Sequence, residues 1–191
     1  MYKMCKTEQS AQRQHLLEQG LLKAMLTHHY DEISVSDLCQ SIGIPRKSFY
    51  RYFSGKDGAL HALIDHTLLE YEGFSNANRD GEARTYQKDL ERMFQFWKQQ
   101  KPLLDALARS GLSGVLIERS VSHALSEIGV PKRYLVQQVP ELRIQATMFG
   151  VCGLMVMVTN WHKENFAQEP WQMAQIAVKL VTEPLFMVPG L

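Results

Sequence analysis

The sequence predicts an all-α protein, and three observations carry that reading. Apolar residues recur at three- and four-residue intervals in nearly every segment, which is helical rather than strand periodicity. Breakers separate most of these stretches: Gly111, Gly129-Val130-Pro131, and "NFAQEP" at 165–170. Neither an internal repeat nor a low-complexity tract interrupts the pattern.

Taken in order, Leu17, Leu21, Ala24 and Met25 form one stripe, with Leu16 and Gly20 beside it, and predict a first helix over about 10–28. The adjacent pair His28-His29 then ends that helix, where cationic side chains complement its dipole. In "HHYDEISVSDL" a short pattern carrying Leu38 and Ile42 follows, and Ser34 or Ser36 suits its N-cap, where a hydroxyl satisfies an orphan backbone N–H. Gly43 fits the left-handed stop of that helix, and Pro45 the first position of the next. Two short helices, Val35–Ser41 and Arg46–Tyr52, are thus joined by a tight turn, which is helix-turn-helix spacing. Leu60, Leu63, Ile64, Thr67, Leu68 and Tyr71 then hold helical register for a longer fourth helix over 56–72. Polar and holding two glycines, "GFSNANRDGEAR" (73–84) reads as a linker. Beyond it, amphipathic stretches recur at about 86–100, 102–109, 112–128, 140–163 and 171–180.

Composition bounds the function classes. The chain has 191 residues, 45% hydrophobic and 21% charged, which is ordinary for a globular protein able to bury a core. Net charge is only +1, so the whole molecule is not a basic carpet for polyanions. The charge is concentrated instead: four Lys/Arg fall between Arg46 and Lys56, and no acid interrupts them. Three cysteines (Cys5, Cys39, Cys152) without C-x-x-C spacing argue against a disulfide framework or a zinc site and fit free thiols. The N-terminus offers no apolar signal core, and the longest apolar run, 146–159, falls short of the roughly 20 residues that span a bilayer. The expectation is a cytoplasmic protein with no membrane segment and no cofactor.

The segment "SIGIPRKSFYRYFSGK" (41–56) interleaves Phe49, Tyr50, Tyr52 and Phe53 with Arg46, Lys47 and Arg51. At about 100° per residue, Phe49 and Phe53 share one helix face, flanked by Tyr52 and Pro45. Lys47, Ser48, Tyr50 and Arg51 point the other way, and Arg46 reaches forward from the helix start. A small helix pinned by two phenyl rings therefore presents cations and hydroxyls outward. Such a face fits duplex DNA, whose major groove, about 12 Å wide, admits a helix and whose guanine edges accept from Arg or Lys. Basic residues on a short helix are more often a plain solvated face; the capped helix, turn, basic helix and Lys56 in register tip the balance.

The stretch "ISVSDLCQSIGIPRKSFYRYFSGKDGALHALI" (33–64) resembles the N-terminal DNA-binding segment of the tetracycline-repressor (TetR) family of bacterial transcriptional regulators. The likeness rests on the Ile33-Ser34-Val35 start, Leu38-Cys39, the Gly43-Ile44 turn, "FYRYF" at 49–53 and "GKDGAL" at 55–60, and covers about residues 8–68. It implies an N-terminal helix-turn-helix domain over 1–58, the fourth helix as connector, and a helical regulatory and dimerisation domain of about six helices over 59–191. It also implies roles. Ser34, Val35 and Ser36 would approach the DNA backbone, and Arg46, Lys47 and Ser48 would read bases. Tyr50 and Tyr52 would touch phosphates, and Lys56 would contact one from the start of the fourth helix. Two departures stand out: Ser36 is short where a base-reading residue can sit, and Gly58 falls early in a helix, at about 1 kcal/mol against Ala.

The resemblance further implies a homodimer through the C-terminal helices, bound to a pseudo-palindromic operator, and a repressor released by a small-molecule effector. From the residues alone, 146–155 is apolar nearly all round and expected to be buried, with Gly150 and Gly153 admitting another helix. Trp171, Ile176, Val178 and Leu180 supply a partner stripe. Phe94, Trp97 and Phe149 are the expected effector contacts, against the commoner role of such residues as core. Two alternatives remain open: an effector-independent DNA-binding protein of the same fold, and a helical metal-dependent enzyme built on His61, Asp65 and His66. For the latter a solvated helix face is the better account, and no catalytic motif is present.

Overall fold

The structure, a computed structural model, describes residues 2, 7–77, 85–126 and 140–183. Thr7 accepts the Ser10 N–H at 3.2 Å and opens α1, Glu8–Met25. Ser34 caps α2, Val35–Ser41, and Pro45 precedes α3, Arg46–Tyr52, as its N-cap rather than its first residue. The connector α4 runs Lys56–Ala77. Thr85 caps α5, Tyr86–Gln99, which is followed by α6, Lys101–Arg109, and α7, Ser113–Ser126. A 3-10 turn at Pro140–Leu142 leads into α8, Arg143–Lys163, and α9 closes the described chain at Pro170–Thr182. All-α is therefore what the described residues form.

Two boundaries differ from the sequence reading, each for a physical reason. The first helix stops at Met25, because His29 caps a separate 3-10 turn, Tyr30–Glu32, instead of ending α1. Its ring accepts from the Asp31 N–H at 3.4 Å, and Glu32 accepts the His29 N–H at 3.1 Å. The fourth helix outlasts its expected end and takes in 73–77, since Phe74 packs on Phe96 at 5.6 Å between centroids and Ser75 is buried. The rest of the expected linker, 78–84, lies outside the described residues, as do Cys5 and the 127–139 stretch with its Gly129-Val130-Pro131 breaker.

Helices α1 to α3 form a head whose core is Leu17, Leu21, Leu38, Phe49 and Phe53. Close approach explains Gly20: a Cβ there would stand 2.8 Å from Ile42 Cγ2, so α1 and α2 touch at a position that only glycine leaves open. The head rests on α4 and α6, and α4 in turn packs against α5 and α7. Helix α5 lies along α9 and α7 along α8. Aromatic rings fill the core between α5 and α8. Phe94 meets Trp161 edge-on at 5.5 Å, and Trp161 meets Phe166 at 4.7 Å. Phe166 holds a left-handed backbone (φ 55), stabilised by that stacking and by its N–H donating to Trp161 O at 2.9 Å.

Helix α8 is not buried as its composition led us to expect. Met155, Val158 and Trp161 face the core, but Ile144, Met148, Phe149 and Val156 stand open. Gly150 and Gly153 have no neighbouring atoms within contact of an added Cβ. At 21 residues α8 is long and apolar enough to cross a membrane by length and composition, more than the 146–159 run implied. Its place in this fold is along α7, tied to α6 by His162 Nε2 and Asp105 Oδ1 at 2.7 Å.

Candidate nucleic-acid interface

The geometry of the helix-turn-helix follows from a few residues. Ser34 accepts the Asp37 N–H at 3.1 Å and donates its hydroxyl to Asp37 Oδ2 at 2.6 Å, so one side chain both starts α2 and holds its first turn. Gly43 takes φ 67, and the Ile44 N–H reaches back to Cys39 O at 3.0 Å, which reverses the chain in the left-handed geometry expected of it. Pro45 O then accepts the Ser48 N–H at 2.8 Å and starts α3. Phe49 and Phe53 are fully buried with centroids 5.1 Å apart, each phenyl adding about 1.5–3 kcal/mol by burial. Their rings fix which side of α3 faces out.

That outer side carries what the sequence placed there. Arg46, Lys47 and Arg51 are exposed, Ser48 is half-buried, and Tyr50 is 48% exposed. The Arg46 guanidinium lies 6.0 Å from the Tyr50 ring centroid, a cation–π spacing that holds both toward solvent. No carboxylate among the described residues pairs with Arg46, Lys47 or Arg51, in contrast to Lys98, Lys101 and Arg119, each of which has one. Ser34 and Ser36 are exposed and Val35 half-buried on the neighbouring end of α2. Behind this face the Cys39 thiol is pushed up by burial, with the Arg46 charge opposing, so it serves as core.

Two of the expected contacts sit elsewhere. Tyr52 is only 5% exposed and stacks on Phe53 at 6.2 Å, so it braces α3 from behind; the helical wheel, which set it beside the phenyls, reads it better than the family resemblance. Lys56 is half-buried, donates from Nζ to Tyr30 O at 2.6 Å and stands 4.3 Å over the Tyr30 ring. Its charge fastens α4 to the Tyr30–Glu32 turn rather than standing free. Tyr30 completes that joint by donating its hydroxyl to Asp57 Oδ1 at 2.7 Å and its N–H to Ser110 Oγ at 3.0 Å. Its phenol is held above the ordinary range by burial and by the Asp57 carboxylate.

The three expected effector contacts do not converge. Phe94 and Trp97 are buried in the aromatic core, whereas Phe149 is 82% exposed on the open face of α8. The suspected metal trio is likewise dispersed. Asp65 is buried, not solvated, and takes Nε of Arg119 at 2.8 Å on Oδ1 and the Arg119 Nη2 and Tyr2 hydroxyl on Oδ2, the latter at 2.8 Å. His66 Nδ1 pairs with the buried Glu18 at 2.8 Å across the α1–α4 joint. Sequence reasoning missed this polar seam between head and bundle; its visible signal is Arg119, Ser122, His123 and Ser126, a polar stripe at helical spacing along α7.

Comparison with known proteins falls on the same segment. The model of the tetR family of bacterial regulatory proteins matches residues 22–63. The HTH-type transcriptional regulator EthR of Mycolicibacterium smegmatis is 44% identical over 52 residues, 27% of this chain and 24% of that protein. The chain thus spans about a quarter of the length of the curated relative it matches. The solved fatty acid degradation regulator FadR from Bacillus halodurans matches 97% of this chain and 100% of its own, at 15% identity and a TM-score of 0.59. The TetR family repressor AlkX from a Dietzia species covers 88% of this chain and 92% of its own, at 15% identity and 0.57. The FadR of Bacillus subtilis, solved with stearoyl-CoA, covers 90% and 99%, at 12% identity and 0.54. At such identities the solved structures establish the fold, and the matched segment is the one that carries the helix-turn-helix.

Proposed function

We propose that this chain, a tetR-family helix-turn-helix segment on that family's fold, is a DNA-binding transcriptional regulator: a homodimeric cytoplasmic repressor released from its operator by a small molecule. The observation that carries the reading is the outer face of α3, where Arg46, Lys47 and Arg51 lack carboxylate partners among the described residues while the buried Phe49 and Phe53 hold the helix still. Preset, unspent cations on a rigid helix cost little to order against phosphate and can donate to base edges. Arg46, Lys47 and Ser48 read bases; Ser36 and Tyr50 donate to phosphates, and Ser34, whose hydroxyl is spent on Asp37, sets the end of α2 beside them.

Dimerisation follows from the far end of the molecule. Met148, Phe149 and Val156 on α8, and Ile176 and Val181 on α9, are exposed apolar side chains that a second copy covers by packing the same helices about a two-fold axis. Two heads then meet half-sites about 34–36 Å apart, one turn of duplex. A relative solved with stearoyl-CoA supports an effector that acts on the bundle. Such a molecule must favour the arrangement that misplaces the heads, or it releases nothing.

The test is DNA affinity against salt, with duplexes tiled from the region upstream of the chain's own gene and fluorescence anisotropy as readout. A dimer neutralising about 6–10 phosphates loses about 10³–10⁵ in affinity between 50 and 200 mM salt. Lys47→Ala should also relax base preference at its position. A nearly flat salt slope, or unaltered preference in that variant, overturns the reading.

A further inference from the structure

Helices α4 and α7 leave a groove between them of about 270 Å³, lined by Tyr2, Asp65, Leu69, Arg119, Ser122 and His123 with Ser126 at its end. It is built from two stripes at helical spacing. On α7, Arg119, Ser122, His123 and Ser126 follow one another at i, i+3, i+4 and i+7; on α4, Asp65, Leu69 and Glu72 do the same. The stripes are clamped at both ends. Arg119 forks onto Asp65 at one, and His123 Nε2 meets Glu72 Oε1 at 3.0 Å at the other. Between the clamps Ser122 and Leu69 stand exposed.

The chemistry of this lining is lopsided. Of the two carboxylates on the α4 stripe, Glu72 closes one end on His123, and Asp65 lines the groove with its two oxygens already receiving three donors: Nε and Nη2 of Arg119 and the Tyr2 hydroxyl. On the other side donors are left over. Arg119 commits Nε and Nη2, so its Nη1 edge remains for a second bidentate partner. The Ser122 hydroxyl has no partner among the described residues and lies one turn further along. Leu69 gives the groove an apolar wall. Unspent donors beside the filled Asp65 carboxylate call for a ligand rich in acceptors, and the wall calls for a hydrocarbon attached to it.

We propose that the groove between α4 and α7 is a binding site for a small organic carboxylate, held by Arg119 and Ser122 with its apolar tail along Leu69. A route from it to the head is already in place. The Tyr2 hydroxyl donates to Asp65, its ring meets His66 edge-on at 6.1 Å, and its backbone pairs with Phe53, the residue that ends α3. A carboxylate that draws Arg119 toward itself competes with Asp65, and Asp65 holds Tyr2. Occupying the groove therefore acts on the C-terminal end of α3, and DNA on α3 acts back on the groove to the same extent. This coupling rests on the regulator reading given above; the site itself does not.

The test uses the whole chain without DNA, titrated calorimetrically with hexanoate, its uncharged isostere hexanamide, and inorganic phosphate. Hexanoate should bind at least about tenfold tighter than hexanamide, the difference between a charge-assisted and a neutral pair. Ser122→Ala should weaken hexanoate by about three- to tenfold through one lost hydrogen bond, and Ser122→Trp, which fills the groove from an exposed position, should abolish it. Equal binding of hexanoate and hexanamide, no binding of either, or unchanged binding to Ser122→Trp overturns the site. Phosphate binding in place of hexanoate also overturns it, by making the groove a site for an inorganic anion. In a second step, hexanoate should lower the DNA affinity of the wild type and leave that of Ser122→Trp unchanged. Hexanoate binding by a chain that binds no DNA leaves the site standing and sinks the regulator reading instead.

Discussion

Helices α3 and α8 both owe their place to apolar side chains, but they spend them in opposite directions. In α3 the two phenyls are inside, and what faces out is Arg46, Lys47, Tyr50 and Arg51. In α8 only Met155, Val158 and Trp161 are inside, and what faces out is Ile144, Met148, Phe149 and Val156. A seven-residue helix is too short to hold itself, so it must sink its large side chains into the head. A 21-residue helix lying along α7 is held by one face and leaves the other unspent. The outward chemistry names the partner in each case: unpaired cations and hydroxyls suit a polyanion, and hydrocarbon suits hydrocarbon.

The largest effect expected of this contrast comes from comparing two phenylalanines. Phe49→Ala opens a cavity where nothing in the head can close it, and should cost about 3–5 kcal/mol, a large share of a typical domain's stability. The same change at Phe149, 82% exposed, should leave the stability of the dilute single chain within about 0.5 kcal/mol. Urea melts at low concentration measure both. Similar losses at the two positions would show that α8 is covered within one chain, and the contrast between the helices would dissolve.

Next in size is the loss of association. Phe149→Glu places a carboxylate in the centre of the open face of α8, where a second copy would bury it without a partner. Its dimer should weaken by about 2–4 kcal/mol, as for a central interface side chain, while helix content and the head stay intact. Sedimentation velocity at micromolar chain should find the wild type dimeric and the variant monomeric. A variant that still sediments as the wild type does would mean that this face has some other use.

The same contrast explains which parts were legible in the sequence. Ends set by local chemistry were: Ser34 before α2, Gly43 after it, and the bounds of α3 itself all stand where capping and left-handed geometry demand. Long-range matters were not. Nothing near Phe74 in sequence announces that Phe96 will cover it, so α4 outruns the polar composition of 73–77. Lys56 looked free because its partner, the Tyr30 carbonyl, is backbone and 26 residues away. Asp65 looked solvated for the same reason, its guanidinium partner lying 54 residues on. Composition marked α8 as apolar all round, but whether such a helix is covered by its own chain or by another depends on the number of neighbours that the fold supplies.

The smallest expected effect concerns the seam between the two regions, at His66. Its Nδ1 meets Glu18, a fully buried carboxylate of α1 whose Oε1 has no partner among the described residues. The hydrogen bond to Glu18 holds the imidazole above its ordinary value; burial opposes this, and the charges of Glu18, Asp65 and Glu70 add to it. A raised folded value means that the native state binds the proton more tightly than the unfolded chain. The contribution is therefore complete below about pH 6.5, the unfolded imidazole value, and disappears as pH rises through the folded value. Over a third of the His66 side chain is open to water, so solvent screening keeps the effect within about 1 kcal/mol. Glutamine at this position keeps a donor for Glu18 but cannot titrate. The wild type should thus lose stability relative to His66→Gln as pH rises above about 6.5 and through the folded value, by up to about 1 kcal/mol in urea melts. Parallel curves would remove the His66 charge from the seam's energetics and leave packing and the Tyr30 joint to fasten the head on the bundle.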